Sequence, residues 1–250
     1  MAAERPSRHP RTVEIHLAGS APPLFLKLFY CTTALGSLKD YFRRSKAVRA
    51  LRQTEALRAL GFNVPVAVGA GEERYVNVLR RSFLVTLPVT GRPLPVFLRD
   101  HFDGRVPGFS LRQKREFLVS LAREIRRLHD LGFVHGDLVP GNIFIAPKPD
   151  EMGQFCFMDN DRTRRYPTWM PRRLWRRNLV QLNRFPLAGI SLQDRVRFFH
   201  AYVSRSELGR QDLRLARWLE QKTRQRRREC DAVDTSVSFR RLMRWDATAH

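Results

Sequence analysis

The sequence predicts an α+β fold in two parts: a small, β-rich first part holding one helix, and a second, mainly helical part. Three observations predict it. Short apolar runs bounded by turn residues fill the first ninety or so positions, a long amphipathic stripe begins at Leu111, and Gly91-Arg92-Pro93 separates the two patterns. At 250 residues and 43% hydrophobic composition the chain can bury a sizeable core, which excludes global disorder.

Each element follows from its local pattern. Val13–Leu17 and Leu24–Tyr30, split by Ala18–Pro23, predict a hairpin. Ser45–Leu60 carries Val48, Leu51 and Leu60 at helical spacing, and Gly61 and Pro65 supply the stop. Two apolar segments follow, Val64–Val68 and Arg81–Leu87, with Gly71-Glu72-Glu73 expected as the turn. Leu111–Leu131 places Leu118, Leu121, Ile125 and Leu128 on one helical stripe that ends at Gly132. Strands are expected at Asn142–Ala146 and Phe155–Met158, bracketing a loop, Pro147–Gln154. A basic, tryptophan-bearing stretch then runs from Arg162 to Arg184, and helical patterns occupy Ser191–Tyr202 and Gln211–Arg228. The domain reading is 1–88, 89–228 and a polar tail, 229–250.

Forty-six Lys and Arg against 24 Asp and Glu leave a formal charge of +22, which favours polyanionic partners: nucleic acid, an anionic membrane surface or a phosphorylated glycolipid. Three cysteines, Cys31, Cys156 and Cys230, form an odd set without metal-ligand spacing, so a reducing cytoplasm is expected rather than a disulfide framework or zinc site. Met1–Thr12 lacks the apolar stretch of a secretory signal, and no window has the length of a transmembrane helix. The expected location is cytoplasmic, with any membrane contact peripheral.

Lys27 lies inside an apolar strand pattern, where an ammonium needs an anionic partner. Glu55 follows Val48 and Leu51 by seven and four residues, so its carboxylate is expected on the core-facing side of that helix as the partner of Lys27. The segment Val134-His-Gly-Asp-Leu-Val-Pro-Gly-Asn-Ile-Phe144 resembles the catalytic loop of the protein-kinase-like superfamily, in which an Asp precedes an Asn by five positions. The resemblance implies that Asp137 accepts the proton of an acceptor hydroxyl and that Asn142 ligates Mg²⁺. Phe157-Met-Asp-Asn-Asp161 resembles the superfamily's Asp-Phe-Gly element, which makes Asp159 the principal metal ligand. Lys27 and Glu55 then match its lysine–glutamate pair at the nucleotide. Both strings also suit ordinary turns. His135 is read as structural. Gly136 stands where regulated protein kinases carry an arginine that holds a phosphate, no Ala-Pro-Glu element follows, and only Gly19 remains of a glycine-rich loop, so the first strand and that loop are expected to be shortened or missing.

The order of these strings, ending in Leu182-Asn-Arg-Phe-Pro-Leu-Ala-Gly-Ile-Ser-Leu-Gln-Asp-Arg-Val-Arg-Phe-Phe-His-Ala-Tyr202, resembles the bacterial lipopolysaccharide core kinase family over about Thr12–Tyr202. That resemblance implies a two-lobed, protein-kinase-like fold and ATP-dependent phosphorylation of a heptose or Kdo hydroxyl of the inner core at the cytoplasmic membrane face, with Mg²⁺ or Mn²⁺ as the metal. Arg162, Arg164, Arg165, Arg172 and Arg173, with Trp169 and Trp175, are the candidate contacts to the anionic glycolipid, since arginine grips phosphate and carboxylate and tryptophan stacks on sugars or sits at interfaces. A solvated basic face or an RNA-binding patch fits the same composition. An unregulated protein kinase of atypical type, or a pseudokinase that binds polyanions, are the competing readings.

Overall fold

The computed structural model describes residues 11–16, 23–30, 44–75, 78–102, 110–148, 151–170, 172–205 and 207–233. Gly19, Cys31 and the tail beyond 233 lie outside them, as do the side chains of Arg172 and Cys230. The chain divides into two compact units, Met1–Thr90 with Cys156–Thr163, and Gly91–Phe155 with Arg164–His250.

The first unit is built on a four-stranded antiparallel sheet of β1 (Arg11–Ile15), β2 (Leu24–Tyr30), β3 (Ala67–Tyr75) and β4 (Val78–Thr86), in the order β1-β2-β4-β3. The two strands expected near the N-terminus pair antiparallel, with Lys27 opposite Thr12 on one side and Leu84 on the other, while the expected connection and Leu17 lie outside the described residues. Gly71-Glu72-Glu73 is not a turn but the middle of β3, paired with Phe83, Ser82 and Arg81. Low strand propensity is overridden there by a packing need: a Cβ on Gly71 would sit 2.4 Å from the Phe83 ring, so only glycine lets that ring lie across the strand.

Helix α1 (Lys46–Ala59) starts at Ser45, whose hydroxyl accepts from the Val48 amide, while Glu72 accepts from the Ser45 amide at 2.7 Å. Its buried face is Ala47, Ala50, Thr54 and Leu57, one residue out of phase with the expected stripe. Small alanines on that face bring the helix close to Phe29 and Leu84, each contributing about 2 kcal/mol by burial. The segment 156–163 is tied in by the Phe157 amide, which donates to Asn63 at 3.0 Å, and by the Phe62 ring set edge-on to Phe157.

In the second unit, β5 (Arg92–Pro93) pairs with β7 (Ile143–Lys148), which neighbours β8 (Glu151–Phe157), so the strands extend into the expected 147–154 loop. Helices α2 (Leu94–Phe102) and α3 (Leu111–Asp130) follow β5. α3 buries Phe117, Leu118, Leu121, Ala122, Ile125, Leu128 and His129, and a capping box of Ser110 with Gln113 starts it. The short β6 (Phe133–Val134) pairs with β9 (Arg164–Arg165). After them come α4 (Trp175–Leu182), α5 (Leu192–Val203) and α6 (Arg210–Val233). Among the described residues no helix is long and apolar enough to cross a membrane.

Lys114 of α3 meets Asp194 of α5 at 2.7 Å with both side chains largely buried, and the Ser191 amide and hydroxyl donate to the same carboxylate. Burial raises the Asp194 pKa, but Lys114 and Ser191 outweigh it and hold the carboxyl below its ordinary 3.8. Asp194→Asn leaves the Lys114 ammonium buried without its anion and should cost about 3 kcal/mol in denaturant unfolding at neutral pH. A depressed folded-state pKa contributes stability above about 3.8 that is lost as pH falls through the folded value, so the gap between wild type and variant should shrink below about pH 4.

Candidate active site

The first unit contributes a cation and two carboxylates. Lys27, on a central strand, places its ammonium 2.5 Å from the Asp159 carboxylate and 5.3 Å from the centre of the Phe29 ring. Asp159 has φ 57° and ψ 57°, a left-handed conformation uncommon for a residue with a side chain. The turn after it is braced from within: buried Asn160 donates to the Phe157 carbonyl at 3.0 Å and accepts from the Thr163 hydroxyl at 3.3 Å. α1 packs on this turn.

The expected Lys27–Glu55 pair is not formed. Glu55 is exposed on α1, because the helix turns Thr54 and Leu57 inward, and the ammonium meets Asp159 instead. The acid that braces α1 is Glu72, held below its ordinary value because its bonds to Arg74 and Ser45 outweigh the raising effect of burial. Asp161 is the residue that the sequence reading passed over. Burial first, and then the neighbouring Asp159 charge, push its carboxyl up to about 6, while Lys27 acts in the opposite direction. The Lys27 ammonium pairs with Asp159 while Asp161 lies close enough to feel both charges, and the signal was the second acid of Asp159-Asn160-Asp161. Among the described residues no group of three or more His, Cys, Asp or Glu could by itself hold a metal ion. Oxygen donors few in number suit Mg²⁺, which commonly takes one or two carboxylates and completes its shell with phosphates and water.

The second unit holds the loop His135–Asn142. Gly136 has φ 71°, so an arginine in its place would be strained, which gives a backbone reason for the glycine. Asp137 is half-buried, and its carbonyl accepts from the Val139 amide at 2.9 Å and from the Asn142 side-chain nitrogen at 2.9 Å. That second bond fixes the Asn142 carboxamide with its oxygen turned away from the Asp137 carbonyl. His135 is fully buried, in keeping with a structural role.

The basic stretch separates into different kinds of residue. Arg162 is exposed in the first unit. In the second, Arg164 and Arg165 are exposed on β9 beside Val134 and Phe133, with the Arg165 guanidinium over the Phe133 ring at 5.3 Å; Arg173 is exposed and Trp169 is 80% exposed. Trp175 is a correction: it is 7% exposed and stacked on the buried His129 at 6.0 Å, so it belongs to the core and not to a substrate surface. Cys156 is buried, and desolvation pushes its thiol up to about 12, which makes it inert at neutral pH.

The second unit also contains an apolar cavity of about 550 Å³. Much of its wall comes from the stretch 182–202, through Phe185, Leu187, Ile190, Phe198, Phe199 and Tyr202, with Leu179 and Leu182 of α4 beside them. Leu192, Val196 and Leu213 line it while remaining exposed.

The family model described as the lipopolysaccharide kinase (Kdo/WaaP) family matches residues 27–202, well over half of the chain. No curated protein matches. A solved structure, WaaP in complex with acyl carrier protein, matches with a TM-score of 0.65 and 24% sequence identity over 89% of this chain and 87% of that one, a likeness that establishes a kinase-like fold.

The two tryptophans separate the core from the surface in a stability measurement. Trp175→Ala should cost about 3 to 5 kcal/mol in denaturant unfolding, whereas Trp169→Ala should change stability by no more than about 0.5 kcal/mol.

Proposed function

Because the chain belongs to the lipopolysaccharide kinase (Kdo/WaaP) family, and is thereby an ATP-dependent kinase, we propose that it phosphorylates a heptose or Kdo hydroxyl of the lipopolysaccharide inner core at the cytoplasmic face of the inner membrane. The observation that carries the assignment of roles is the left-handed Asp159 turn held by Lys27, a strained carboxylate fixed against a strand cation, in a chain that also carries the His135–Asn142 loop. In this reading Asp137 orients the sugar hydroxyl and takes its proton, and Lys27 meets the phosphates of the nucleotide. Asp159 and Asn142 would hold Mg²⁺, or Mn²⁺, with Asp161 an additional oxygen donor at the turn. A bound divalent cation would offset the charge of the phosphates during transfer.

Exposed Arg162, Arg164, Arg165 and Arg173 supply guanidinium groups for the carboxylates and phosphates of the glycolipid, and Trp169 supplies an exposed ring for a sugar face or the membrane interface. The +22 charge supports a peripheral seat on an anionic bilayer.

A second observation favours a further partner. An apolar cavity of about 550 Å³ suits a hydrocarbon chain, and the similar WaaP structure is a complex with acyl carrier protein; we infer that this chain also takes an acyl carrier protein, with the acyl chain in the cavity. Acyl carrier protein bearing a long acyl chain should raise Tm by several degrees, and an equal shift from the unacylated carrier would remove the cavity from the account.

The catalytic assignment is tested with purified protein, labelled ATP and core lipopolysaccharide. Asp137→Asn should lower kcat by about 10² to 10⁴, and Lys27→Ala and Asp159→Ala should abolish nucleotide-dependent thermal stabilisation. Label appearing in added proteins but not in glycolipid would favour an unregulated protein kinase, and wild-type transfer by Asp137→Asn would overturn the role of that residue.

A further inference from the structure

The backbone around Asp137 is held from outside the loop by two side chains of one helix. Asn178 and Gln181 lie three residues apart on α4, and so share a helix face. The Asn178 Oδ1 accepts from the His135 amide at 3.0 Å, and the Gln181 Oε1 accepts from the Leu138 amide at 3.2 Å. The Gln181 Nε2 donates to the Gly136 carbonyl at 2.9 Å, and the Asn178 Nδ2 donates to the Gln181 Oε1 at 3.0 Å, locking the two amides together. Three backbone groups of residues 135, 136 and 138, on both sides of Asp137, therefore end on this pair.

The pair is itself anchored. His129 lies 3.1 Å by its Nε2 from the Asn178 Oδ1 and 2.8 Å by its Nδ1 from the Tyr202 hydroxyl. Since the Asn178 oxygen can only accept, His129 must carry its proton on Nε2, and the neutral ring then accepts from Tyr202 at Nδ1. Desolvation, which pushes the His129 pKa down to about 4, keeps the ring neutral at physiological pH. Asn178 and His129 are both fully buried, so every amide and ring orientation in the chain of bonds is dictated by its neighbours.

The geometry points to Asn178 and Gln181 as positioning residues of the kinase: by gripping the backbone on either side of Asp137 they set the direction of its carboxylate without touching the substrate. This inference rests on Asp137 being the group that receives the acceptor proton. Its physical basis is that the bonds made within the loop by residues 137, 139 and 142 fix its internal shape but not its placement, and misplacement of about 1 Å can cost about 100-fold in rate.

The test uses the full-length protein with ATP and core lipopolysaccharide, comparing wild type, Gln181→Leu, Gln181→Glu and Asp137→Asn. Gln181→Leu, which removes two of the three external bonds, should lower kcat about 10- to 100-fold, with KM for ATP within about twofold of wild type and the protein still folded by circular dichroism. Gln181→Glu keeps the acceptor for Leu138 and should recover part of the loss. In hydrogen exchange the Leu138 amide should exchange faster in Gln181→Leu, as should the His135 amide in Asn178→Ala, a reading available even where activity is lost. A kcat within threefold of wild type, or a loss in Gln181→Leu that matches the fall in its folded fraction, would overturn the inference. Full activity in Asp137→Asn would instead strike at the catalytic assignment on which it rests.

Discussion

The ion pair of Lys27 with Asp159 joins residues 132 positions apart, and the first unit is arranged around making it possible. A cation inside a sheet demands an anion, and no neighbour on β1 or β4 opposite Lys27 can supply one, since they are Thr12 and Leu84. The chain must leave, build the helices and strands of the second unit, and return with a carboxylate at the end of β8. That return explains the long backbone bond from Phe157 to Asn63 and the buried Asn160 that closes the turn. It also explains why a left-handed residue is tolerated: the strain at Asp159 is spread over bonds made by Asn160, Thr163 and Lys27 together.

Much of this was legible in the sequence where one residue type has one physical meaning. The stripe of Leu118, Leu121, Ile125 and Leu128 specified a buried helix face because apolar side chains at that spacing have nowhere else to go. An ammonium between apolar neighbours identified Lys27 as needing a partner. Which partner was another matter. Glu55 and Thr54 differ by one helical step of about 100°, and the face chosen was settled by the close packing of Ala47 and Ala50 on the sheet, which a pattern of larger side chains concealed. Trp169 and Trp175 likewise look alike among arginines; only the stacking on His129 tells them apart.

The polar pair of α4 was invisible for a different reason. Asn178 and Gln181 lie within a stretch whose charge dominates its appearance, and an amide that bonds to backbone leaves no trace in the sequence of the backbone it holds. The stretch 182–202 takes its physical meaning from the cavity: its phenylalanines and leucines form much of the apolar wall.

Helix α4 faces two ways. Leu179 and Leu182 line the cavity, while Asn178 and Gln181 hold the loop, so one short helix serves both. Any molecule that binds the cavity only in the folded chain adds RT ln(1 + [L]/Kd) to its stability, about 2.7 kcal/mol at a hundredfold excess over Kd. The folded population of the enzyme, and with it the amount that survives cellular proteolysis, becomes a readout of the supply of that molecule, a form of metabolic accounting that needs no second conformation.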